Sequence, residues 1–201
     1  MKIGALMIPD PLTIGEQASI QEALEIMKIN SIRHLPVVGE GNRLEGFVTL
    51  GDLRQALIPS MLEDLTLKDL MIAEPIVVDP DDEIEIAAQK IYKHKIGGMP
   101  VVRHGRVLGI ITATDLLRAF IQMMGMLSAS SRIDVRIGTR PKALQQAIEI
   151  IESHNGEIIN VGMTAQDSAQ KTFYFRLAAC PTAPIRTALE HAGYEVLDAM
   201  D

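Results

Sequence analysis

Two stretches, "GFVTLGDL" (46–53) and "GIITATDL" (109–116), set a hydroxyl and a carboxylate three residues apart in the same phrase: Thr49 with Asp52, and Thr112 with Asp115. At the head of a helix this spacing supports two readings. In one it is a capping box, the threonine and the acid each satisfying an exposed backbone N–H, worth about 1 kcal/mol per helix. In the other, an ionised Asp accepts a hydrogen bond from each of two neighbouring ribose hydroxyls, a charge-assisted contact worth roughly 1.5–3 kcal/mol. The Thr then serves a ribose or phosphate oxygen, and the positive end of the helix dipole suits a phosphate. The glycine three residues before each Thr leaves the strand entry bare, which admits a ligand or a bend. Beside the first copy, in "IRHLPVV", Arg33 and His34 supply cations, and Arg33 can fork onto a phosphate. The phrase alone leaves both readings open.

The elements that must position these residues also occur twice. At an offset of 64 residues, "IGALMIPDPLTI" (3–14) lies over "LKDLMIAEPIVV" (67–78), and "SIRHLPVV" (31–38) over "KIGGMPVV" (95–102). Each copy reads β-α-β-β-α: a short strand (Leu12–Ile14 or Ile76–Val78), then an amphipathic helix. Its apolar residues (Ile20, Ala23, Leu24, Met27; Ile84, Ala87, Ala88, Ile91) recur at i, i+3, i+4, i+7. Ser19-x-x-Glu22 and Asp82-x-x-Glu85 read as capping boxes. Two strands follow, joined by "GEGN" or "RHG", and a closing helix, Asp52–Leu57 or Asp115–Met124. A copy of about 60 residues buries its faces poorly alone, so the two are expected to pack sheet to sheet as a pseudo-symmetric pair.

Beyond "MGMLSASSR" (124–132) the pattern changes. A strand ("RIDVRIG"), a helix ("TRPKALQQAIEIIESHNG", with Thr139 near the N-cap), two strands, a helix and a last strand make β-α-β-β-α-β, a ferredoxin-like plan. The expected organisation is repeat one at 1–62, repeat two at 63–125, a linker at 126–132 and a C-terminal domain at 133–201, an α/β (α+β) chain throughout.

Composition excludes several functions. Of the 201 residues 47% are apolar but only 3% aromatic, and the net charge is −7, so neither a base-stacking platform nor a basic nucleic-acid surface is expected. No apolar run is long enough to span a bilayer, and "MKIGALMIPDP" meets Pro and Asp too early for the apolar centre of a signal peptide. The lone Cys180 forms no internal disulfide. The expectation is a cytoplasmic protein with no membrane or nucleic-acid partner. The five histidines never fall at metal-ligand spacing with Cys or acids, and no nucleophile motif or P-loop is present, so neither a metal site nor catalysis is expected.

The doubled "LM…P…PVV…G-apolar-apolar-T-x-x-D-L" pattern resembles a tandem pair of cystathionine-β-synthase-type (CBS) domains, a Bateman module, over residues 1 to about 125. The resemblance implies a regulatory sensor that binds AMP, ADP, ATP or S-adenosylmethionine in clefts of the pair. It implies Asp52 and Asp115 on ribose, and Thr49 and Thr112 on ribose or phosphate. Ile14 and Val78 would offer strand backbone to adenine, and Arg33 and His34 would hold phosphate. Copy two has Gly97 and Gly98 at the cation positions, so Gly98 marks a second, unequal site. The tail is similar to an ACT domain, a small-molecule regulatory module. "GTRPKAL" (138–144) and "IINV" (158–161) make Thr139, Arg140 and Asn160 candidate effector residues, although Lys142 stands where that family has Gly. The whole order resembles the acetoin-utilisation (AcuB-like) proteins of bacteria. It implies a homodimer, an adenosine ligand and a downstream protein partner. The rival reading is a dimerising scaffold in which Thr-x-x-Asp only caps helices.

Overall fold

In this computed structural model, residues 1–55, 65–125, 130–138, 140–164 and 170–201 are described. They divide into two units, Met1–Leu117 and Arg118–Asp201.

The first unit begins with β1 (Ile8–Pro9), α1 (Ile20–Ile29), β2 (His34–Val38), β3 (Leu44–Thr49) and α2 (Leu50–Gln55). Copy two follows with α3 (Leu67–Leu70), α4 (Ile84–His94), β4 (Gly98–Arg103), β5 (Arg106–Thr112) and α5 (Ala113–Met123), the last crossing the division between units. In α1 the predicted period holds: Ile20, Ala23 and Met27 are buried and Leu24 packs beside them. Ser19 Oγ accepts from Glu22 N at 3.1 Å, capping the helix start. The second box does not form, because Asp82 Oδ2 accepts from the Asp79 amide instead and α4 starts one residue later, after Glu83. The short strands expected before the helices reduce to single parallel bridges, Ile14 with Val37 and Val78 with Val101. The end of the expected helix Asp52–Leu57 lies outside the described residues, as does most of the linker.

The two copies exchange their leading segments. β1 of copy one pairs with β5 of copy two, Ile8 opposite Ile110 and Pro9 opposite Gly109. The amides of Ile3 and Gly4 donate to the carbonyls of Asp82 and Pro80. In the reciprocal arrangement Ile72 bridges to Phe47, and Leu67 and Lys68 donate to Ala18 and Glu16. Leu67 is fully buried in the copy-one core with Leu35, Val48 and Leu53. This explains Gly46 and Gly109 without a ligand. A Cβ on Gly109 would lie 2.5 Å from Met7 Sδ and 2.9 Å from the Ile8 oxygen, and one on Gly46 would collide with Met71 Sδ. Glycine is there because another strand lies on it.

The second unit contains β6 (Ser130–Gly138), α6 (Ala143–Ser153), β7 (Ile158–Thr164), β8 (Gln170–Ala178), α7 (Ala183–His191) and β9 (Glu195–Met200). Its antiparallel sheet has the order β7-β8-β6-β9, the predicted βαββαβ plan. Alternation along the central strands sends Ile133, Val135, Ile137, Phe175 and Leu177 to one face, where α6 and α7 cover them with Ala147, Ile151, Ile185 and Leu189. Arg132, Asp134, Tyr174 and Arg176 alternate with these onto the opposite face. α6 starts later than the sequence suggests, after Lys142, which has a left-handed backbone (φ 60°).

Candidate functional site

Thr49 ends β3 and Thr112 ends β5, so both Thr-x-x-Asp motifs sit at a strand-to-helix junction. Thr49 Oγ1 and its backbone N–H donate to Asp52 Oδ2 at 2.7 and 3.2 Å, and the Asp52 amide donates back to Thr49 Oγ1 at 3.3 Å. Copy two repeats this at 2.6, 3.0 and 3.4 Å around Thr112 and Asp115. The cap is therefore made in both copies. It engages one oxygen of each carboxylate; among the described residues Oδ1 of Asp52 and of Asp115 has no hydrogen-bond partner. It also commits each threonine's proton to its acid. In this arrangement Thr49 and Thr112 can accept from a ribose hydroxyl but have no proton for a phosphate oxygen.

A third box escaped the sequence reading. In α3, Thr66 donates to Asp69 Oδ2 from its N–H and Oγ1, both at 2.9 Å. "TLKD" (66–69) carries the signal but not the preceding Gly-apolar-apolar phrase. These bonds hold the Asp69 carboxyl below the usual carboxylate range. Capping geometry by itself thus does not mark a ligand.

The junctions are backed by equivalent residues of unequal kind. The Leu50 amide donates to the Arg33 carbonyl and the Ala113 amide to the Gly97 carbonyl, both at 2.9 Å. His34 lies opposite Thr49 in register, and Gly98 opposite Thr112. Gly98 is buried, and a Cβ there would lie 3.0 Å from Thr112 Cγ2, so no cation fits at that position. The Arg33 side chain is exposed, with no partner among the described residues.

His34 departs from expectation. Its ring stacks on Phe47, centroids 5.9 Å apart, and a Cβ on Gly97 would lie 2.8 Å from its Nε2. Burial pushes the His34 imidazole below its ordinary value, Arg33 pushes it the same way, and Asp52 opposes them. The His34 ring fills the space over Gly97 and its surroundings disfavour the charged form, which leaves Arg33 as the stronger cation of the pair. Its folded pKa being depressed, its contribution to stability is present above the unfolded value of about 6.5 and lost as pH falls through the folded value. An NMR titration of the imidazole should give a midpoint below 6.5; one at or above 6.5 contradicts this placement.

The strand backbone assigned to adenine is already partly engaged. Ile14 N donates to Pro36 O at 3.1 Å and Ile14 O accepts from Val38 N at 2.8 Å; Val78 does the same with Pro100 and Val102 at 3.2 and 2.8 Å. Both amides are bonded to neighbouring strands, and each carbonyl keeps its second lone pair for a ligand.

In the second unit, Arg140 Nη2 donates to Tyr194 Oη at 3.2 Å and to Gln146 Oε1 at 3.3 Å, beside cavities of about 240 and 510 Å³. Asn160 donates to the Met123 carbonyl at 3.2 Å and lines a different cavity of about 390 Å³. Among the described residues Arg140 and Asn160 line different cavities, and Thr139 lies outside the described residues. Among the described residues no three His, Cys, Asp or Glu side chains converge as metal ligands, and no helix is long and apolar enough to cross a membrane.

Comparison with known proteins places this geometry. A sequence model of the CBS domain matches residues 3–59 and 67–122. The structure is similar to that of a putative acetoin utilization protein (AcuB) from Vibrio cholerae, with TM-score 0.57 and 29% identity, over 63% of this chain and 94% of that one. It is similar to the CBS domain pair of protein MJ0100, solved with 5-methylthioadenosine and S-adenosyl-L-methionine (TM-score 0.56, 32% identity, 60% of this chain and 95% of that one). CBSX2 in complex with AMP, a protein of Arabidopsis thaliana, gives TM-score 0.54 and 30% identity, over 60% of this chain and 96% of that one. Among curated relatives, several with enzyme names, the chain spans only 23%, 21% and 41% of three relatives' lengths.

Proposed function

The chain belongs to the CBS-domain family, and on that premise we propose that it is a non-catalytic regulatory protein whose CBS pair senses an adenosine-containing ligand: AMP, ADP, ATP or S-adenosylmethionine. The observation that carries this reading is the carboxylate oxygen left over at each strand-to-helix junction. Asp52 and Asp115 cap their helices with Oδ2 and keep Oδ1 to accept from a ribose hydroxyl. The likeness to CBS pairs solved with AMP and with S-adenosyl-L-methionine supports the ligand class. In this reading Arg33 meets phosphate in the first cleft, and Gly98 makes the second cleft prefer a ligand with less negative charge. The Ile14 and Val78 carbonyls border the purine.

Regulation follows from the exchanged leading segments. A ligand held by one copy acts on elements that carry the other copy's chain. For a useful switch it must favour one arrangement by about 1–3 kcal/mol. The C-terminal unit, in this proposal an ACT-like domain, pairs with its counterpart in a homodimer or reads a second small effector near Arg140 or Asn160, and passes the signal to a protein partner.

Calorimetric titration of the full chain with AMP, ADP, ATP and S-adenosylmethionine should give saturable binding of at least one, with the nucleotide unchanged after long incubation. No heat with any of the four leaves the scaffold reading, which the identical bonding of the Thr66–Asp69 box, outside the repeated phrase, favours.

A further inference from the structure

On the face of the C-terminal sheet opposite α6 and α7, Arg132 of β6 lies directly opposite Arg176 of β8. Like charges opposed on one face of a sheet repel. Arg132 is relieved by Asp134, which its guanidinium grips through two nitrogens, Nε to Oδ1 at 2.7 Å being one contact. Arg176 has no such relief. Among the described residues its one hydrogen bond is from Nη1 to the neutral Ser130 hydroxyl at 3.3 Å, and no carboxylate pairs with it.

Both arginines border the cavity of about 390 Å³, a volume typical of small-molecule sites. One wall is Tyr174, its ring fixed by the Arg132 guanidinium over its face (5.3 Å to the centroid) and its hydroxyl hydrogen-bonded to Thr164 Oγ1 at 3.1 Å. Gly162 lies opposite Tyr174 and adds no side chain, so the floor stays open. Met124 and Met163, both substantially exposed, supply polarizable apolar walls suited to a flat ring. The cavity therefore joins an uncompensated cation to an apolar slot.

We propose that this face holds a small organic anion with a flat apolar body, its carboxylate or phosphate on Arg176 and its body between Tyr174 and the methionines. The site is separate from the CBS clefts and does not depend on the nucleotide reading. It deepens the second-effector reading, because Asn160 lines this same cavity, and it lies apart from the β6–α6 turn around Arg140.

The test uses the full chain, with phenylacetate, phenyl phosphate, the neutral isostere phenylacetamide and inorganic phosphate as probes, followed by amide NMR shifts. Saturable shifts at Gly162, Thr164 and Tyr174 are expected with phenylacetate or phenyl phosphate, with phenylacetamide and inorganic phosphate each about tenfold weaker. Arg176→Gln should weaken the anion about tenfold without lowering the thermal midpoint. Arg136→Gln, which removes a cation already paired with Glu195, should leave binding unchanged. Three results overturn the proposal: no saturable shift with either organic anion, equal binding of phenylacetamide, or Arg176→Gln binding like the parent. A face closed by a second copy would show as the first of these, with Arg176→Gln also changing the sedimentation of the dimer. Loss of nucleotide binding in the CBS pair would leave these outcomes untouched.

Discussion

Asp115→Ala is expected to weaken the adenosine ligand in its cleft by about 1.5–3 kcal/mol, roughly ten- to hundredfold in Kd. The same substitution removes a helix cap, worth about 0.5–2 kcal/mol of stability. The two effects separate because the chain contains its own control. Asp69 accepts the same pair of hydrogen bonds from Thr66 that Asp115 accepts from Thr112. Asp69→Ala should therefore cost comparable stability and leave nucleotide binding alone. Asp115 is only 8% exposed, so its side chain is fixed in place and its free Oδ1 has little room to reorient. Asp52→Ala should act in the same direction on the other cleft. Calorimetry and thermal unfolding on the three variants decide the matter. If Asp52→Ala and Asp115→Ala lose stability as Asp69→Ala does yet bind normally, the repeated phrase only caps helices and the sensor reading fails.

The largest effect on stability is expected from Leu67→Ala, at about 2–5 kcal/mol. Leu67 comes from the leading segment of copy two, but it is fully buried among Ile14, Leu35, Val48 and Leu53 of copy one. Truncation opens a cavity in a core the residue does not belong to by sequence. Ile3, fully buried and bonded through its amide to Asp82 of copy two, is the reciprocal position, and Ile3→Ala should cost about as much. Because each copy is completed by the other, urea denaturation should show the pair unfolding in one transition that both variants shift. Two separate transitions, with Leu67→Ala moving only that of copy two, would contradict the exchange.

Much of this architecture is legible in the order of residues. The apolar period of Ile20, Ala23 and Met27 placed α1, and alternation in "RIDVRIG" and "KTFYFRL" placed β6 and β8. Other residues misled for definite reasons. Gly46 and Gly109 admitted a ligand or a bend, but the room is filled by Met71 and Met7, more than 20 residues away in sequence. Asp82 has the right spacing to Glu85 for a capping box but instead accepts from the amide of Asp79, three residues before it. His34 beside Arg33 reads as a second cation until its ring is seen against Phe47 and over Gly97.

What the chain's own order determined is local: the doubled β-α-β-β-α unit, the βαββαβ tail and the capping chemistry of Thr-x-x-Asp. Each depends on hydrogen bonds and side-chain periods within a few residues, and spacing encodes these directly. The tertiary structure alone decided which copy each leading segment completes, that burial holds the His34 imidazole below its ordinary value, that the Ile14 and Val78 amides are taken, and that Arg132 and Arg176 meet on one face. Those outcomes are set by burial and by contacts between residues far apart in the chain. Desolvation and charge opposition exist only once distant segments have packed, so no local pattern records them.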